Sequence, residues 1–163
     1  MTSQKFQELL LAESDSYLEV SPEMCFSFPF EEYPASKFYE GPIRFTRHHY
    51  LGRPAEKNGE EAACARILDE LPIAEYWVRN LERDKYAFWL PTPAGEFYPD
   101  FVAKLLDGRC LAVEYKGEML LATPDTKQKQ TIGELWESRS NGRCLFRLVT
   151  KRDMGAILRS ITE

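Results

Sequence analysis

The chain has 163 residues, a mass of 18.9 kDa and a net charge of −5 at neutral pH. Apolar residues make up 44% and charged residues 29%, the balance of an ordinary globule that buries roughly 70% of its unfolded surface in one core. The apolar runs are short, as in Met119-Leu120-Leu121-Ala122, which excludes a membrane span. Met1–Lys5 leads into no long apolar core, so no secretory leader is expected and the cytoplasm is the expected compartment.

Residues 1–55 read as an irregular N-terminal arm. Phe6–Leu11 suggests one or two helical turns, and Cys25–Phe30 alternates like a short strand that Pro29 confines to an edge. The acidity of the chain sits here. Residues 1–43 hold two Lys against eight Asp or Glu, whereas the chain from 101 onward carries +3. A phosphate-facing surface is therefore allowed on the later part.

Residues 56–163 read as one regular domain. Asn58-Gly59 opens a helix with Glu60 and Glu61 in its first turn, and Cys64, Ile67, Leu68 and Leu71 form its apolar stripe before Pro72. Glu75–Asn80 and Tyr86–Pro91 read as strands. Glu96–Leu106 and Arg109–Lys116 follow as a hairpin joined at Asp107-Gly108. Asp125–Ser140 is helical, with Ile132, Leu135 and Trp136 inward, and Asn141-Gly142 ends it. Cys144–Thr150 is an apolar strand, and Asp153 caps a last helix carrying Ile157, Leu158 and Ile161. The pattern predicts the α/β class, with a mixed sheet between helices. Cys25, Cys64, Cys110 and Cys144 lie too far apart for a zinc site and read as buried reduced thiols.

Chemistry concentrates in the hairpin. Asp100 stands on one strand, and Glu114 and Lys116, two apart, share a face of the other. All three interrupt apolar runs, where a charge is costly to desolvate unless paired or ligated. Two adjacent carboxylates repel unless a cation lies between them, and Mg2+ (or Mn2+) takes carboxylates together with water and phosphate oxygens. Such an ion polarises a phosphoryl oxygen, and Lys116 offsets the charge that develops on phosphorus. Phosphodiester hydrolysis fits. A strict two-residue turn would put Asp100 on the opposite face from Glu114, so the reading requires an odd loop or a bulge that brings Asp100 opposite Lys116.

Pro99-Asp100 followed by Glu114-x-Lys116 in this element order resembles the PD-(D/E)XK nuclease superfamily. The phrases Tyr76–Glu82, Phe97–Val102, Asp107-Gly108-Arg109, Val113–Gly117 and Ile132–Trp136 look like the C-terminal endonuclease region of type III restriction enzymes and DEAD/DEAH-type helicase–nucleases. The similarity runs from about Ile43 to Asp153, with a looser echo near Phe28–Tyr39. It implies a restriction-endonuclease-like αβββαβ core with a mixed central sheet flanked by helices, and a metal-dependent DNA endonuclease. It also implies metal ligands at Asp100, Glu114, the Tyr115 carbonyl and a Glu of the first helix, for which Glu61 spaces better than Glu60. Dipole-favouring acids are an equal reading for that pair. The chain lacks the Gly-x-x-x-x-Gly-Lys-Ser/Thr loop of a motor, so the resemblance covers the nuclease part alone. The expected partners are DNA, a helicase/translocase or methyltransferase subunit, and a second copy for duplex cleavage. An inactive module of the same fold that binds DNA or a helicase is the alternative.

Lys127, Gln128 and Lys129 are the candidate DNA-phosphate contacts, although a solvated helix face is the commoner reason for such a run. Arg139, Arg143, Arg147, Lys151 and Arg152 are further candidates of the same kind. For His48-His49, packing is preferred over metal, since neighbours on a strand face opposite ways. Trp77, Trp89 and Trp136 read as core.

Overall fold

The computed structural model describes Tyr33, residues 35–50 and residues 54–162. The helical turns expected at Phe6–Leu11, the edge strand at Cys25–Phe30 and the Cys25 thiol lie outside the described residues. Helix α1 (Gly59–Asp69) starts at a capping box: the Asn58 side chain accepts from the Glu61 amide at 2.9 Å, and Glu61 Oε2 accepts from the Asn58 amide at 3.3 Å. Strand β1 (Ala74–Arg79) follows. Then come a small hairpin, β2 (Leu90–Thr92) with β3 (Gly95–Phe97), and the strands β4 (Phe101–Leu105) and β5 (Cys110–Tyr115). Helix α2 (Pro124–Arg139), strand β6 (Cys144–Val149) and helix α3 (Met154–Arg159) complete the order.

The main sheet runs β1-β4-β5-β6. The first two pairings are antiparallel and β5–β6 is parallel. Every residue of β5 is buried, which explains the unbroken apolar run Leu111-Ala112-Val113. One face packs Trp77, Phe101, Leu111 and Val113 against Cys64, Ala65 and Leu68 of α1 and Leu158 of α3. The other packs Val78, Val102, Ala112 and Phe146 against Ile132 and Trp136 of α2. Burial of each of the larger ones, such as Leu68, Phe101, Leu111 and Leu158, contributes about 1.5–3 kcal/mol relative to exposure. A Cβ at Gly133 would lie 2.2 Å from the Phe146 ring, so this glycine lets α2 settle onto β6. This is the expected mixed α/β architecture. Cys64, Cys110 and Cys144 are buried and not joined in disulfides, as expected. Among the described residues no helix is long and apolar enough to cross a membrane.

The described part of the arm is packed onto this core. Residues 46–50 run beside β1, with Trp77 N donating to Arg47 O at 3.0 Å and His49 N to Trp77 O at 2.8 Å. Asp69 anchors that segment by accepting from the amides of Thr46 and Arg47 and from Trp77 Nε1 at 2.7 Å.

Four expectations are corrected. Tyr86–Pro91 is a strand only at its end, where Leu90 and Pro91 enter β2 of the small hairpin; Phe88 is held by the Asn80 side chain rather than by a neighbouring strand. Glu96–Leu106 is not one strand: it breaks at Tyr98–Asp100, where Pro99 has no N–H for a ladder. Trp89 is 44% exposed, since Leu90 and Phe88 take the inward positions. Asp153 makes no cap bond to α3; its Oδ1 accepts from the Thr150 amide at 2.7 Å instead.

Candidate active site

Leu105 N donates to Arg109 O at 2.9 Å, which leaves Leu106-Asp107-Gly108 as a three-residue loop. Gly108 lies at φ +91°, a conformation that a residue without Cβ adopts readily. The odd loop that the sequence requires is therefore present. The register Phe101↔Val113 to Lys104↔Cys110, carried one residue further, sets Asp100 opposite Glu114 rather than opposite Lys116. The loop closes at Leu105–Arg109 without a further bulge. The shift goes the other way, and the parity survives: Asp100, Glu114 and Lys116 share one face.

Their contacts interlock. The Asp100 amide donates to Glu114 Oε2 at 3.2 Å, and the Tyr115 amide donates to Asp100 Oδ2 at 2.9 Å. Lys116 Nζ lies 2.8 Å from Glu114 Oε1, and Lys129 Nζ lies 3.7 Å from the same oxygen. Glu114 is 3% exposed, whereas the side chains of Asp100 and Lys116 keep 21% and 17% of their surface, so the group opens at one edge. Burial, and then the charge of Asp100, push the Glu114 carboxyl up to about 7 against the pull of Lys116 and Lys129. Burial works to lower the Lys116 ammonium. The Glu114 carboxylate outweighs it and leaves this lysine above its ordinary value.

Two residues of β1 and its exit hold the group. Arg79 Nη1 lies 3.0 Å from Asp100 Oδ1, and its Nη2 lies 3.4 Å from Glu61 Oε2. Asn80 donates from Nδ2 to Pro99 O at 2.9 Å and to Phe88 O at 2.7 Å, and its amide donates to Asp100 O at 3.0 Å. Asn80 thus fixes the turn that presents Asp100.

The remaining expected residues divide. Glu61 pairs with Arg79, which also holds Asp100, and its side chain closes the capping box at the start of α1, in line with the reading of a first-turn acid that favours the helix N-terminus. Glu60 points elsewhere, accepting from the Tyr115 hydroxyl with Lys151 3.7 Å away. Tyr115, the expected carbonyl ligand, ends β5 beside Asp100. Lys129 turns into the site, against the expectation of a solvated face, while Lys127 is exposed and Gln128 is half-buried. Arg147 pairs with Glu137 at 2.8 Å, and Arg152 approaches Glu118 at 3.8 Å. His48 is buried: Nδ1 meets Tyr50 O at 2.9 Å and Nε2 accepts from the Arg79 amide at 3.2 Å, a packing role as expected. Sequence reasoning assigned no role to Arg79 or Asn80. The only signal was two polar residues ending an apolar strand.

Among the described residues no three His, Cys, Asp or Glu side chains gather into a metal-holding group. Mg2+ typically keeps several waters and takes one or two carboxylates with substrate phosphate oxygens. The Asp100–Glu114 pair, two neighbouring carboxyls of which the buried Glu114 is pushed toward neutrality by burial and then by the Asp100 charge, fits that donor chemistry. Comparison with family models, curated proteins and solved structures returns no match to this chain. Its own geometry carries the functional argument.

Proposed function

We propose that this chain is a metal-dependent DNA endonuclease module of the PD-(D/E)XK type, similar to the nuclease region of type III restriction enzymes. The observation that carries the reading is the convergence of Asp100, Glu114 and Lys116 on one partly open edge of a buried sheet. The α/β order, with a β1-β4-β5 meander followed by α2 and the parallel β6, supports a restriction-endonuclease-like core. Asp100 and Glu114 would hold Mg2+ or Mn2+, with the Tyr115 carbonyl as a further donor. When bound, the ion supplies Lewis acidity and an acidified water.

The chain's own residues do the rest. Lys116, kept protonated by Glu114, offsets negative charge on the phosphoryl oxygens and orients the attacking water. Lys129 adds positive charge behind it. Displacement in line leaves a 5′-phosphate and a 3′-hydroxyl. A helicase or methyltransferase subunit, or a second copy, would supply targeting and the second strand's cut.

The test is end-group analysis of a labelled duplex incubated with protein and Mg2+ or Mn2+. The reading expects 5′-phosphate and 3′-hydroxyl ends that vanish with Asp100→Asn. Cleavage that survives Asp100→Asn overturns it. One observation favours the second reading, an inactive module binding DNA or a helicase: Glu61, Asp100 and Glu114 each already have a cationic side chain as partner. That reading predicts DNA or partner binding with no cleavage under any divalent ion.

A further inference from the structure

We infer that Arg79 is the resident cation of the metal-free site and that it sets the concentration at which a divalent ion enters. The inference rests on the metal-site reading above and concerns how that site is loaded. Glu61 comes from the first turn of α1 on one side, and Asp100 comes from the turn that leads into β4 on the other, beside Glu114 of β5. The Arg79 guanidinium joins the two sides, at 3.4 Å from Glu61 Oε2 and 3.0 Å from Asp100 Oδ1. It also donates to Asp100 O at 3.3 Å and lies over the Phe101 ring at 5.1 Å. Its side chain is 15% exposed, so this head group is placed and not a loose surface charge.

Each carboxyl already has a cation without a metal. Glu61 and Asp100 face Arg79, and Glu114 faces Lys116 and Lys129, the latter shared with Asp125 at 3.2 Å. Both Asp100 oxygens are in use: Oδ2 accepts from the Tyr115 amide and Oδ1 from Arg79. An ion that binds Asp100 shares an oxygen with Arg79 or takes that oxygen over, and in either case it sits beside the guanidinium charge. Arg79 can release Asp100 and remain on Glu61, because its planar fork serves two carboxylates at once. A guanidinium left beside a divalent ion opposes its binding until an anion arrives, and a DNA phosphate is such an anion. Arg79 therefore keeps the ion weakly held until substrate is present.

The test is Mn2+ titration of the DNA-free protein by calorimetry and by electron paramagnetic resonance, at one pH and low salt. Wild type is compared with Arg79→Met, Arg79→Lys and Asp100→Asn, and folding is verified by circular dichroism. Arg79→Met is expected to bind Mn2+ at least about tenfold more tightly than wild type, the effect of removing one unit charge a few ångströms from the ion. Arg79→Lys is expected to fall between them, and Asp100→Asn to abolish binding. Should Arg79→Met not fold, Arg79→Lys carries the test, because one ammonium cannot bridge both carboxylates. Equal or weaker binding in the folded Arg79 variant, with binding still sensitive to Asp100→Asn, overturns the inference and leaves the metal site standing. Absence of Asp100-dependent binding in wild type and variants alike overturns the metal-site reading and the inference with it.

Discussion

The amide of Asp100 donates to Glu114 Oε2 at 3.2 Å, so the carboxylate of one strand completes the main-chain hydrogen bonding of the other. The second oxygen of Glu114 is left to Lys116 at 2.8 Å. This division explains how an acid that is 3% exposed is tolerated in a core strand. It also ties the site to the hairpin register: a loop shorter by one residue would turn Asp100 to the other face.

The Glu114 carboxyl stands at about 7 because of burial and the Asp100 charge. A folded-state value raised above the ordinary 4.5 stabilises the protein below pH 4.5, and this stability is lost as the pH rises through 7. The loss amounts to up to roughly 3 kcal/mol. Denaturant unfolding of the metal-free protein and of Glu114→Gln should show it as a difference that grows against the wild type from pH 4.5 to 7. Mn2+ binding to the wild type should tighten over the same interval and level off above it.

His48 has the opposite slope. Burial holds its imidazole down at about 4, against an ordinary value of 6.5. The unfolded chain therefore takes up a proton near pH 6.5 while the folded chain resists until about 4. Stability is full above 6.5 and falls by up to roughly 3 kcal/mol as the pH drops to 4. Because this partly cancels the Glu114 effect, it is to be read from the difference between wild type and His48→Gln: the wild type should lose up to roughly 3 kcal/mol relative to the variant as the pH drops from 6.5 to 4, and the variant alone should show the uncancelled Glu114 slope.

Asn80→Ala removes partners from Phe88 N, Phe88 O and Pro99 O at once. Loss of about 2–4 kcal/mol is expected from leaving these buried groups unsatisfied. Metal affinity should fall as well, since the Pro99–Asp100 turn loses its anchor. Urea unfolding and calorimetry on the same sample test both effects.

Gly133→Ala places a methyl group against the Phe146 ring, where the contact would be 2.2 Å. Relief requires α2 to move off β6, so a destabilisation of about 1–3 kcal/mol is expected. A thermal midpoint equal to that of wild type would show that the ring gives way freely.

Where periodicity and caps act locally, the sequence is a good guide. α1 starts at the Asn58 box and α2 buries Ile132 and Trp136, as their spacing requires. The all-buried β5 is legible because its apolar run needs no partner to be recognised. Tyr86–Pro91 misleads because Phe88 is buried by loop packing around Asn80, through bonds that no local window reveals. The site divides in the same way. Asp100, Glu114 and Lys116 can be found because charges inside apolar strands demand a reason. Arg79 and Lys129 cannot, since their value depends on a carboxylate 21 positions away for Arg79 and 15 for Lys129. The hairpin shows both limits: parity was deducible, but the true partner of Asp100 depended on where the loop closes.

The most direct measurement is nicking of supercoiled plasmid by the purified protein in Mg2+ or Mn2+ and in chelator, beside folded Lys116→Ala. The account predicts nicking that needs the divalent ion and drops at least about 100-fold in the variant, as befits the loss of a charge that stabilises the transition state. Nicking that persists in chelator, or that Lys116→Ala retains at the wild-type rate, would contradict it.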